Sequence, residues 1–211
     1  MSALPHPPFL LITDRRQAGS RSDEALLAQI SGAIAGGVRW VSLREKDLRP
    51  GHRLTLLKRL KALAALTNTT LSVHDDIDAA EALELGLHLP EGGDPAVARA
   101  RLGEAALIGV SAHDLAQGRM AALHGADYVT LSPVFESASK PGYGPALGLE
   151  GLQKAAAAIP CPVLALGGIA LSNLDACLDA GAAGVAVMGE IMRAPDPMAS
   201  AQALLRAGWY R

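Results

Sequence analysis

The chain has 211 residues, half of them hydrophobic but only 3% aromatic, so its apolar content is mostly aliphatic. Its 19 Lys and Arg against 21 Asp and Glu leave a net charge of −2, without the basic stripe expected of a general nucleic-acid binder. No run nears the ~20 apolar residues of a membrane span, residues 1–8 lack the basic start and long apolar stretch of a leader, and Cys161 and Cys177 alone make neither a disulfide framework nor a closed zinc site. The expectation is a cytoplasmic protein with no nucleic-acid and no membrane partner; a homo-oligomer stays open.

In chain order, short apolar runs recur, most of them after a turn signal or a helix-like stretch that ends at Gly. They are residues 9–12 (FLLI), 38–43 (VRWVSL), 70–74 (TLSVH), 85–89 (LGLHL), 106–111 (ALIGVS), 127–132 (DYVTLS), 163–166 (VLAL) and 185–188 (VAVM). Each is short and apolar enough to be buried on both faces, as parallel strands are. Helical spacing lies between them. Ala25, Leu26, Ile30, Ala33 and Ile34 form one stripe behind the acidic start Asp23-Glu24; Leu54, Leu57, Leu60 and Leu63 form a second; Leu174, Cys177 and Leu178 form a third that stops at Gly181.

Strand–helix alternation predicts a parallel α/β fold. A doubly wound sheet would carry a glycine-rich phosphate loop after an early strand, and neither GxGxxG nor a Walker sequence occurs. Eight repeats instead predict one (β/α)8 TIM barrel over residues 1–211, with the barrel spanning about 9–206 and function at the carboxyl ends of the strands.

Chemically useful residues do follow the strands. Arg44 and Lys46 alternate after the second, so both face one side and suit a phosphate or pyrophosphate; ion pairing with Glu45 and Asp47 is the structural alternative. Asp75 after the third and Asp94 after the fourth are carboxylates that could share Mg²⁺, although Asp94-Pro95 also reads as a helix cap, and Asp76 competes as a ligand. His113 after the fifth is a candidate acid or base. Ser137, Ser139 and Lys140 lie on a Gly/Pro-rich loop suited to closing over a charged substrate. Gly167, Gly168 and Gly189 would present backbone N–H groups to an anion. His88 reads as a satisfied core histidine, and the two cysteines as buried thiols.

The succession SLREKDL (42–48), HDD (74–76), GVSAH (109–113), GADYVTLSPVFESASKPG (125–142), LALGGI (164–169) and AGAAGVAVMGEI (180–191) resembles the thiamine-phosphate synthase family, whose superfamily also holds the TenI-type thiazole tautomerase. The resemblance implies a Mg²⁺-assisted transferase acting on small molecules in thiamine biosynthesis. It would join hydroxymethylpyrimidine pyrophosphate to thiazole phosphate and release pyrophosphate. By residue, Arg44 and Lys46 match the family's pyrophosphate-binding pair, Asp75 and Asp94 its metal carboxylates, and Ser111 and Lys140 further diphosphate contacts. Ser137 and Ser139 stand where members usually have Thr, and Gly168, Met188 and Gly189 align with the thiazole-phosphate segment. At two substrate-binding positions the chain departs from the family: Ser42 replaces a Gln and His74 an Asn. Two alternatives remain open at this point. A tautomerase would need His113 or His74 as its acid/base group, because Pro133 stands where the tautomerase has a His; a non-catalytic phosphate-ligand-binding regulator could use the same barrel.

Overall fold

Short aliphatic runs that bury both faces need a sheet with no bare edge, and a closed barrel provides one. The computed structural model describes residues 3–136 and 145–210. Among them, β1 (Phe9–Ile12), β2 (Trp40–Leu43), β3 (Thr70–His74), β4 (Gly86–Leu89), β5 (Ile108–Ala112), β6 (Tyr128–Leu131), β7 (Val163–Leu166) and β8 (Gly184–Val187) pair in parallel in chain order, and β8 closes on β1. The connections carry α1 (Asp23–Ala35), α2 (Pro50–Ala65), α3 (Ile77–Leu83), α4 (Pro95–Leu102), α5 (Leu115–Leu123), α6 (Gly148–Ala158), α7 (Leu174–Asp179) and the short α8 (Gly189–Met192), and α9 (Pro197–Trp209) follows. The fold is a (β/α)8 TIM barrel. β1, β3 and β7 occupy the residues read as strands from sequence, and the other strands differ by one or two residues at one or both ends.

Outward-facing strand residues such as Leu11, Val41, Val73, Val110 and Val129 join the inner helix faces in the main core. The α1 stripe packs as read, with Leu26, Ile30, Ala33 and Ile34 buried. The α2 stripe is rotated: Leu56, Leu57, Leu60 and Ala64 are buried, while Leu54 and Leu63 are only partly covered. The buried line there follows an i, i+4 ridge, not the i+3 spacing of the leucines. Several helices open on a side-chain cap. Ser22, Asp76, Asp94, Asp114 and Asp196 each accept a backbone N–H two or three residues on, an arrangement worth about 1 kcal/mol apiece.

The register sorts the barrel interior into unlike halves. Leu10, Ile12, Leu164 and Ala186 fill the side of β7, β8 and β1, whereas Ser42, Ser72, His74, His88, Ser111 and Thr130 occupy β2 to β6. Trp40 and Tyr128 cross beneath them, ring centroids 4.8 Å apart and nearly perpendicular. Gly109 makes room for Tyr128, since a Cβ at that position would collide with the phenol ring.

Candidate active site

At the carboxyl ends of the strands opens a cavity of about 1050 Å³. Its lining includes Arg44, Lys46, His74, Asp75, Ser111, His113, Gly167, Gly168, Met188 and Gly189, so residues from the ends of five strands meet there. Ser42 and Asp94 are not in that lining. Ser42 is fully buried one layer below, and its Oγ has no hydrogen-bond partner among the described residues. Ser137, Ser139 and Lys140 lie outside the described residues.

β2 delivers Arg44 by way of a buried acid. Glu45, 2% exposed, accepts from the Thr13 hydroxyl at 2.5 Å and the Arg15 N–H at 2.9 Å, and Thr13 Oγ1 in turn accepts the Arg44 N–H at 3.0 Å. Burial pushes the Glu45 carboxyl above its ordinary range. Asp47 is bound by Arg15, not by Arg44 or Lys46. Neither ion pair that offered the structural alternative therefore forms, and among the described residues the Arg44 guanidinium has no carboxylate within ion-pair distance. Burial, opposed by the charge of Asp14, holds its pKa below that of a free guanidinium. A half-desolvated cation without a counter-ion is an anion receptor.

The acids after β3 and β4 divide their labour. Asp76 caps α3 through Ala79 and meets Arg53 at 2.5 Å, which commits it to structure. Asp75 is exposed toward the cavity and takes a left-handed backbone, φ 51°, a conformation uncommon outside glycine and mildly costly. Asp94 Oδ1 caps α4 through Ala96, at 2.8 Å. The described residues hold no cluster of three or more metal-ligating side chains. That donor set still fits Mg²⁺, which commonly binds one or two carboxylates and completes its octahedron with water and substrate phosphate.

His113 Nδ1 lies 2.6 Å from the Ser132 carbonyl, so that nitrogen carries the hydrogen, and Nε2 faces Glu91 at 3.5 Å. Gln117 braces both partners, accepting the His113 N–H at 2.7 Å and donating to Glu91 at 2.6 Å. His88 is a core histidine, as its apolar strand suggested, with three hydroxyls around it. Its ring stacks on His74, centroids 4.4 Å apart, and His74 Nε2 is buried without a hydrogen-bond partner among the described residues. Both cysteines are buried thiols, raised to about 11 by burial.

Gly167 and Gly168 have φ of 94° and 65° and press against the segment after β6. A Cβ on Gly168 would sit 2.5 Å from the Glu136 carbonyl oxygen, and Val134 and Phe135 donate to the Leu166 and Gly167 carbonyls at 2.9 and 3.0 Å. Close backbone packing accounts for this glycine pair before any ligand does. Sequence reasoning missed Arg53, Glu91, Glu136 and Arg193, which also line the cavity. Glu91 follows β4 directly and was legible by position; Arg53 and Arg193 arrive from helices or their ends, where charges are usually only solvated.

Residues 9–191 match the family model described as thiamine monophosphate synthase. The chain belongs to that family. Among curated proteins, a putative thiamine-phosphate synthase of Geobacter sulfurreducens is 46% identical over 197 residues, covering 92% of this chain and 91% of its own. The thiamine-phosphate synthase of Roseiflexus castenholzii is 39% identical over 196 residues, with 92% and 85% covered. Among solved structures, a thiamine phosphate pyrophosphorylase from Pyrococcus furiosus superposes with a TM-score of 0.82 at 28% identity and covers 94% of each chain. The thiamine monophosphate synthase family thus joins the barrel and its cavity to one chemistry in these relatives' names.

Proposed function

We propose that this chain is a thiamine-phosphate synthase, joining hydroxymethylpyrimidine pyrophosphate to thiazole phosphate. The observation that carries the reading is Arg44, a partly buried guanidinium with no ion-pair partner among the described residues, sharing a cavity with Lys46 and Asp75. In the reaction the C–O bond of the diphosphate ester breaks and its electron pair leaves with pyrophosphate. The thiazole nitrogen then donates its lone pair to the pyrimidine methylene carbon, forming the C–N bond. Arg44 and Lys46 take the diphosphate, with Ser111 and Lys140 as further contacts, and meet negative charge where it develops. Asp75, together with Asp94, would hold Mg²⁺, which would supply charge neutralisation for the leaving group when bound. His74 bounds the pyrimidine side, with Ser42 buried in the layer beneath it, and Ser137 and Ser139 are further substrate contacts. Gly167, Gly168, Met188 and Gly189 receive the thiazole phosphate. His113, its Nδ1–H held by the Ser132 carbonyl, turns Nε2 toward Glu91 at the mouth of the cavity.

The tautomerase and regulator readings are not favoured. The relatives bear the synthase name, Pro133 in the cavity lining holds no proton, and Lys46 and Asp75 are kept. Purified protein with both substrates and Mg²⁺ should form thiamine phosphate, and Asp75→Ala and Lys140→Ala should each lower kcat/KM by roughly 100-fold, the scale of losing a charge-assisted contact made in the transition state. Metal-independent isomerisation of a thiazole carboxylate phosphate without coupling would sink the synthase reading. Tight ligand binding with neither reaction would also sink it, in favour of a regulator.

A further inference from the structure

Beneath the cavity, Tyr128, His88 and Ser111 form a buried chain from β6 through β4 to β5. The Tyr128 hydroxyl lies 3.0 Å from His88 Nδ1, and His88 Nε2 lies 3.0 Å from Ser111 Oγ and 3.3 Å from Thr130 Oγ1. His88, Tyr128 and Thr130 are fully buried, and Ser111 is the member that reaches the cavity. The direction of hydrogen bonding through this chain follows from counting protons. His88 is fully buried with only hydroxyls as hydrogen-bond partners, so the ring is neutral and carries one N–H. Tyr128 is likewise un-ionised, its pKa raised by burial, so the phenol keeps an O–H that must find an acceptor. Ser72 Oγ is beside it but has no hydrogen bond of acceptable geometry, which leaves His88 Nδ1 as the acceptor among the described residues. The imidazole hydrogen is then on Nε2 and is donated to Ser111 Oγ.

We infer that Tyr128 and His88 act as positioning residues that orient the Ser111 hydroxyl: with its oxygen occupied from below by His88 Nε2–H, its own hydrogen is turned into the cavity and offered to an anionic oxygen of the substrate. A serine with the opposite polarity, donating to His88, would present lone pairs to that anion and repel it. This deepens the proposed function and rests on its placing the diphosphate at Ser111.

The tautomer is read independently of activity. In ¹⁵N-labelled protein, the chemical shifts of the two His88 ring nitrogens, assigned by loss in His88→Asn, should show a bare Nδ1 and a protonated Nε2. In Tyr128→Phe, which keeps the ring against Trp40 but lacks the donor, that preference should weaken. Calorimetric titration with inorganic pyrophosphate and Mg²⁺ should find affinity reduced roughly 10-fold in Ser111→Ala and several-fold in Tyr128→Phe, with no further loss in the double variant, because the phenol acts only through the serine. Thiazole phosphate binding should be unchanged in Tyr128→Phe. A protonated Nδ1 in the wild-type protein overturns the inference, and so do additive losses in the double variant. If pyrophosphate fails to bind at all, the proposed function falls, while the nitrogen shifts still decide the polarity of the chain.

Discussion

Arg44 and Glu45 are neighbours with opposite assignments, and each should fail in its own way when replaced. Removing the Arg44 charge in Arg44→Gln should leave the fold intact, since no carboxylate is orphaned, and should cost roughly 100-fold in kcat/KM for the pyrimidine substrate; Arg44→Lys should recover only part, having a point charge in place of a planar fork. Steady-state kinetics with both substrates checks this, and an unchanged kcat/KM would remove Arg44 from the site. Glu45→Ala instead leaves the Thr13 hydroxyl and the Arg15 N–H without their buried acceptor. It should cost about 1–3 kcal/mol in urea unfolding, with activity falling only as far as the Arg44 backbone shifts. The sequence made Arg44, Lys46 and Asp75 visible because they follow strand ends. It could not show that Glu45 points inward while Arg44 points to the cavity, because that depends on Thr13 just past the end of β1, 32 residues away.

Among the elements, the acids that start helices separate from those that line the cavity. Asp76→Ala removes the α3 cap and the Arg53 pair and should lower stability by about 1–2 kcal/mol. Asp75→Ala keeps the left-handed backbone, in which alanine sits slightly less easily than aspartate, so it should cost less than about 1 kcal/mol in stability yet be severe for turnover. Paired urea melts and kinetics of the two variants test the division; a large stability loss in Asp75→Ala would contradict it. Gly168→Ala meets the Glu136 carbonyl at 2.5 Å and keeps φ 65°, so a cost of about 1–3 kcal/mol is expected, against a smaller one at Gly125, where a Cβ finds open space at φ 94°. Differential melting of Gly168→Ala and Gly125→Ala decides between packing and backbone angle as the source. Apolar runs and Gly stops made the strand and helix succession readable. The rotated face of α2 was not, since leucines at both i+3 and i+4 spacing left two faces equally apolar until neighbouring strands chose one.

For the whole molecule, the polar half of the barrel sets how stability responds to acid. His88 titrates near 3 in the folded protein against about 6.5 unfolded, so between those values the unfolded chain binds a proton that the native state refuses. Stability contributed by the neutral ring is therefore complete above pH 6.5 and is lost as pH falls toward 3, by up to about tenfold in the unfolding constant per pH unit. Glu45, raised by burial, acts in the opposite sense above its unfolded value. Urea midpoints in chelator-containing buffer should drop between pH 7 and pH 5, and the slope should flatten in His88→Asn; a midpoint independent of pH would show that the ring is reached by water. The barrel itself was legible from eight repeats, but the sorting of its interior was not, because inward and outward positions are fixed by register and no single strand reveals it.

The wall between β6 and β7 carries a consequence for how such a protein can change. Val134 and Phe135 are bonded to the Leu166 and Gly167 carbonyls, so that side of the cavity is drawn in main chain and tolerates little substitution. Across from it, Ser42 and His74 are ordinary side chains on strands that would stay paired whatever residue stood there, and Arg44 follows one of them. With the substrates placed as proposed, inherited variation or a mutant library is channelled to one partner of the reaction: acceptance of new leaving-group substrates would drift residue by residue, while the phosphate-bearing acceptor would stay the same until the backbone itself is rebuilt.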